Sequence, residues 1–66
     1  MPGLAYSSLR TGKNYRLINF GETYEFKIQK ILPKDFDLQD LHTLERYLMS
    51  DLTKFGHGKD FEILEL

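Results

Sequence analysis

Two histidines, His42 and His57, and ten carboxylates are the groups in this sequence that could move protons or hold a metal. A catalytic zinc takes about three protein ligands. Two histidines and a carboxylate would meet that number, but no helical or loop spacing joins His42 to His57. The run Asp35, Asp37, Gln39, Asp40 opens like a calcium loop. It fails at the sixth place, where Asp40 stands instead of glycine, and at the twelfth, where Arg46 stands instead of a bidentate glutamate. Ser7, Ser8 and Ser50 have no glycine elbow and no serine-histidine-acid order around them. Gly56-His57-Gly58-Lys59 is too short for a phosphate loop, and Asp60 follows where Ser or Thr is required. With no cysteine in the chain, thiol catalysis, thiolate metal sites and disulfides are excluded. The sequence therefore predicts no catalytic residue, no metal and no cofactor. An enzyme would need His42 or His57 to meet a carboxylate across a dimer interface.

The remaining chemistry is that of a surface. Arg10, Lys13, Arg16, Lys27, Lys30 and Lys34 are predicted to form a basic strip across the first two strands, with Tyr15 or Tyr6 to stack on a ligand. Small barrels bind nucleic acid in that way. The sequence pI near 6.0 counts against it. Net charge is −1, but it is unevenly spread. Residues 1–34 carry six basic and two acidic groups, and residues 35–66 carry three basic and eight acidic ones. Opposed charges of this kind steer a partner or drive self-association.

These side chains must be positioned by a small fold. The 66 residues are 41% hydrophobic and 14% aromatic, the make-up of one small globular domain. A domain of this size buries only about 60% of its unfolded surface, so most large apolar side chains serve the core and little is left to enclose a deep cavity. Without staples a secreted domain this small is disfavoured, which predicts a cytoplasmic protein. No apolar run approaches the roughly 18 residues of a membrane span. Met1 to Ser8 has neither the basic start nor the apolar core of a secretory leader.

Residues 1–9 read as a flexible N-terminal arm, and residues 10–66 as a single small domain. After the turn signal Thr11-Gly12-Lys13-Asn14, Tyr15 to Phe20 reads as a strand. Gly21 is free to take positive φ and reverse the chain. Thr23 to Leu32 alternates Tyr24, Phe26 and Ile28 with Glu25, Lys27 and Gln29, the period of a strand with one buried face. Pro33-Lys34 turns the chain into a second alternating run, Asp35 to Gln39. Residues 38–55 admit two readings. Leu38, Leu41, Leu44, Leu48, Leu52 and Phe55 recur at helical spacing, with Asp37 as N-cap and Gly56 as C-terminal glycine. That pattern predicts an α+β fold, an antiparallel sheet covered by one helix. Alternatively, a strand ends near Leu41, Asp40 to Thr43 turns, Leu44 to Met49 is a strand, and Ser50 to Gly56 is a single helical turn. Asp60 to Leu66 is the last strand in both.

In the second reading the order of elements resembles an SH3-like barrel of the Tudor type. The matching pieces are Gly12 to Ile18 as opening strand and Glu25-Phe26-Lys27-Ile28 with Asp35-Phe36-Asp37-Leu38 as central hairpin. Asp40-Leu41-His42-Thr43-Leu44-Glu45-Arg46-Tyr47 resembles a D-x-x-T-x-E-x-Y turn between third and fourth strands, and Asp51 to Gly56 the helical turn. The chain is also similar to small bacterial proteins whose last third carries Thr43-Leu44-Glu45, Ser50-Asp51-Leu52, Gly56, Gly58 and Asp60-Phe61. The resemblance covers residues 12–66 and implies an all-β, five-stranded SH3-like barrel with one short helical turn before the last strand. It departs from Tudor domains that bind methylated side chains, because no full aromatic cage with an acid can be placed. It also lacks the acidic loop and paired surface tyrosines of peptide-binding SH3 domains. The all-β reading is adopted. The functional expectation is a small non-catalytic protein-interaction module whose partner is another protein or a second copy in a homodimer. The alternative is a nucleic-acid-associated barrel using Arg10, Lys13, Tyr15, Arg16, Lys27, Lys30 and Lys34. No membrane partner is expected.

Overall fold

Tyr15, Leu17 and Asn19 are buried and alternate with the half-buried Asn14, Arg16 and Ile18. That alternation makes β1 (Asn14–Asn19) a strand with one face in the core. In the computed structural model, which describes residues 4–66, it is followed by β2 (Glu22–Ile31), β3 (Phe36–Asp40), β4 (Arg46–Leu48), the one-turn helix α1 (Met49–Leu52) and β5 (Glu62–Glu65). A 3-10 turn at Tyr6–Ser8 precedes β1. The five strands form one antiparallel sheet in the order β4-β3-β2-β1-β5. The fold is thus all-β, with a single helical turn before the last strand. Leu9, Tyr15, Leu17, Phe26, Ile28, Leu38, Met49 and Ile63 are its buried apolar core.

Each connection has a local cause. Between β1 and β2, Phe20 has φ +50° and Gly21 φ +77°, the primed two-residue turn that matches strand twist. A phenylalanine is strained there. The Asp60 carboxylate holds the turn by accepting the N–H groups of Phe20 at 2.9 Å and Gly21 at 2.8 Å. The β2–β3 register slips between Ile28 and Lys30, a bulge that bends the long strand. Between β3 and β4, Asp40 Oδ1 accepts N–H groups from His42 (2.7 Å) and Thr43 (2.9 Å), and its Oδ2 accepts the Tyr47 hydroxyl at 3.1 Å. Thr43 Oγ1 accepts the Glu45 N–H at 3.2 Å. The residues of the D-x-x-T-x-E-x-Y run therefore bond one another.

That turn overturns the helix predicted over 38–55. Leu38 is fully buried, but Leu44, Leu48 and Phe55 are 65%, 37% and 82% exposed, so the leucine stripe never forms one face. Asp40 satisfies the N–H groups of a turn, and Leu44 takes φ +64°, which no helix continues through. The predicted fourth strand contracts from Leu44–Met49 to Arg46–Leu48, and the helical turn begins one residue early, at Met49. Two carboxylates serve that helix start, one inside the helix and one distant in sequence. Asp51 Oδ2 accepts the Leu48 N–H at 2.9 Å, and Asp35 accepts the Ser50 N–H at 3.1 Å and hydroxyl at 2.7 Å.

Of the arm predicted over residues 1–9, residues 1–3 lie outside the described residues. Leu4 donates its N–H to the Ile63 carbonyl at 2.7 Å, along β5, and Leu9 is 1% exposed within the core. Residues 4–9 are thus tied to the sheet at both ends. They also place Tyr6 and Arg10, which matter below.

Candidate functional site

Tyr6 stands at the start of the 3-10 turn because Leu9 anchors the segment after it. Its ring meets Phe36 edge-on at 5.7 Å and Phe61 at 6.3 Å, and its hydroxyl shares a 3.1 Å hydrogen bond with His57 Nε2. His57 lies flat on Phe61, with centroids 3.8 Å apart. Partial burial raises the Tyr6 pKa, and the nearby Asp35 charge adds to it, against a lowering hydrogen bond with Thr53. Neutral Tyr6 is therefore a fixed wall.

Opposite that wall the chain leaves β2 after its bulge. Ile31, whose strand mate is Phe36, is left 46% exposed there. Between the two lies an open groove of about 530 Å³. Tyr6, Leu9, Ile31, Pro33, Phe36 and Met49 supply its apolar lining, and Arg10, Lys34 and Asp35 are its charged groups. Asp35 is already committed. Partial burial pushes its carboxyl up, but hydrogen bonds from the Ser50 hydroxyl and from the N–H groups of Phe36, Ser50 and Met49 prevail and hold it low. Arg10 donates to the Ser7 and Leu9 carbonyls at 2.8 and 3.0 Å, with no carboxylate partner among the described residues. The rim therefore carries two cations and one internally bonded anion.

The predicted basic strip is partly assembled. The Gly12 N–H donates to the Ile28 carbonyl at 2.8 Å and the Ile28 N–H to the Lys13 carbonyl at 3.1 Å, so residues 10–13 run beside the second half of β2. This brings Arg10 and Lys13 alongside Lys27, Lys30 and Lys34, all exposed. Among the described residues the ion pairs of lysine and arginine are Arg16–Glu25 and Arg46–Asp37, so those five cations stay unpaired. One member of the strip is corrected, and a second is occupied. Tyr15 is 1% exposed, its hydroxyl accepting the Arg10 N–H at 2.9 Å, because the inward parity of β1 sends it to the core. It cannot stack on a ligand. Arg16 faces outward across from Glu25 and is held there at 2.8 Å. Hydrogen bonds from His42 and Arg16 keep the Glu25 carboxyl low. No protein-family model, curated protein or solved structure matches the chain.

The two histidines do not converge. His42 bonds Glu25 at 2.7 Å, and His57 belongs to the Tyr6–Phe61 stack. Among the described residues no three histidines or carboxylates are placed to hold a metal ion, and no helix is long and apolar enough to cross a membrane.

Reasoning from sequence missed the apolar part of the groove. Ile31-Leu32-Pro33 breaks the alternation of β2, which was the available signal. It also missed a second cleft, of about 330 Å³, on the other side of α1. Phe20 (56% exposed) and Phe55 (82% exposed) stand in it beside Tyr24, Glu22, Asp51 and Lys54. Phe55 was counted in a helical stripe, which hid its exposure.

Proposed function

We propose that the chain is a small non-catalytic protein-interaction module. Its groove receives an apolar segment of a protein that also carries acidic residues. One observation supports this: an open apolar groove is rimmed by Arg10 and Lys34 and continues into the unpaired cations Lys13, Lys27 and Lys30. Apolar residues in a groove supply affinity, and complementary rim charges supply orientation and encounter rate. The SH3-like resemblance belongs to the same reading, and the bonded Asp40–Tyr47 turn supports it. A cysteine-free chain suits the reducing cytoplasm, where this reading places the protein.

The test is fluorescence anisotropy with labelled extended peptides, one set apolar and acidic, a matched set apolar and basic. Binding of the acidic set, weakened by Lys34→Glu and lost in Ile31→Asp, supports the reading. Binding by neither set, or binding indifferent to Ile31→Asp, refutes it.

The five unpaired cations favour one second reading, a nucleic-acid-associated barrel. It loses Tyr15 as a stacking platform, which is why the protein reading is preferred. If all five cations met phosphates, log K would fall against log salt with a slope of about −4.5 on duplex DNA. Absence of binding to single-stranded and duplex probes at low salt would remove it.

A further inference from the structure

The second cleft bears on who the partner is. Phe55 is the most exposed large apolar side chain among the described residues, and Phe20 stands beside it. Exposed apolar rings gathered in one place mark a contact surface. The backbone that carries Phe55 is also held. The Gly56 N–H donates to the Thr53 carbonyl at 2.9 Å, and Asn19 Nδ2 donates to the carbonyls of Leu52 at 3.2 Å and Gly56 at 3.1 Å. The ring thus projects from a backbone already fixed, so the ordering cost when something covers it falls on the side chain alone.

Charge indicates what covers it. The knob is flanked by Glu22 and Asp51, and the groove by Arg10 and Lys34. An apolar knob with acidic neighbours is the occupant proposed above for an apolar groove with a basic rim. The two surfaces share no residue. We propose that a second copy of this chain inserts Phe55 into the groove, with Glu22 and Asp51 facing Arg10 and Lys34. This rests on the groove being the interaction site and names its partner. Lys54, whose ammonium lies 5.5 Å from the Phe55 ring centre, is the knob's cation and comes to face Asp35, the internally bonded carboxylate of the groove lining. When one knob enters one groove the contact is heterologous: one copy keeps its groove free and the other its knob, so it propagates into a ring or a chain of subunits. A standard interface takes about 800 Å² per partner, under a fifth of the 4505 Å² exposed here.

Sedimentation velocity from micromolar to millimolar concentration tests this, on wild type, Phe55→Ser, Ile31→Asp and an equimolar mixture of the two variants. Wild type is expected to gain average mass with concentration and lose it at high salt. Each variant alone stays monomeric, with wild-type circular dichroism and unfolding midpoint. The mixture forms a dimer and stops there, because one variant retains the groove and the other the knob. A wild type that is monomeric at millimolar concentration overturns the proposal, as does a mixture that stays monomeric or a Phe55→Ser variant that still associates. The peptide assay separates this from the function proposed above. Phe55→Ser keeps its groove and still binds acidic apolar peptides, so a monomeric wild type that binds them refutes self-association alone.

Discussion

Asn19 is buried at 3% exposure, and its side-chain amide ties β1 to the segment that follows α1. Its Nδ2 donates to the carbonyls of Leu52 and Gly56, and its Oδ1 accepts the Gly58 N–H at 2.7 Å. Asn19→Ala removes all three bonds at once. At about 1 kcal/mol net per bond the loss is about 3 kcal/mol, reduced toward 2 where water reaches the freed Gly56 carbonyl. Total stability for a chain this long is about 3–10 kcal/mol, so the variant is expected to melt about 10–20 °C lower. Asn19→Asp supplies the sign. It keeps an acceptor for Gly58 but turns an oxygen toward two carbonyls, which disfavours the ionised form in the folded state. Its folded pKa therefore lies above the unfolded value of about 3.9. The penalty from ionisation is absent below the unfolded pKa and complete above the folded one, so Asn19→Asp recovers stability as pH falls from 7 toward 3. Urea unfolding followed by far-ultraviolet circular dichroism measures both. A cost for Asn19→Ala under about 0.5 kcal/mol, the range of ordinary surface changes, would refute the reasoning. So would a pH-independent deficit in Asn19→Asp.

Gly58→Ala would bring a Cβ to 3.0 Å from both Asp60 Oδ1 and the Phe20 ring; a loss of about 1 kcal/mol is expected in the same unfolding assay. Asp60→Ala deprives Phe20 and Gly21 of their shared acceptor. It should cost about 1–2 kcal/mol, and less in a Phe20→Gly background, where the left-handed turn is unstrained; a double-mutant cycle reads the difference. N–H groups of Thr43 and His42 hold the Asp40 carboxyl below its usual range. Its contribution is complete above the unfolded pKa and is lost as pH falls through the lowered folded one. The stability gap between wild type and Asp40→Asn is therefore expected to narrow between about pH 5 and about pH 2, as read from urea midpoints.

The parts of the fold that follow from local rules were legible in the chain. The alternation of Tyr24, Phe26 and Ile28 marked β2, Gly21 marked the first hairpin, and Asp40 to Tyr47 marked the turn between β3 and β4. Periodicity over Leu38 to Phe55 supported a helix equally well. It could not register that the Asp40 carboxylate would satisfy a turn. The candidate site divides in the same way. The cations of the strip could be read because charged residues of β2 and its turns stay outside. Tyr15 could not, since it alternates onto the core face of β1.

By itself, then, the sequence determined the alternating strands on either side of a contested middle, the absence of thiol chemistry, and an excess of positive charge in the first half over the second. The groove was decided only by tertiary structure. Its wall Tyr6, its floor Leu9 and Met49 and its rim Lys34 come from separate segments, and no spacing along the chain encodes their meeting. The same holds for Phe55. Apolar residues at helical spacing look alike in sequence, and only the packing of the rest leaves this ring in solvent. Composition and local pattern act through neighbours in the chain; a binding surface is made by neighbours in space.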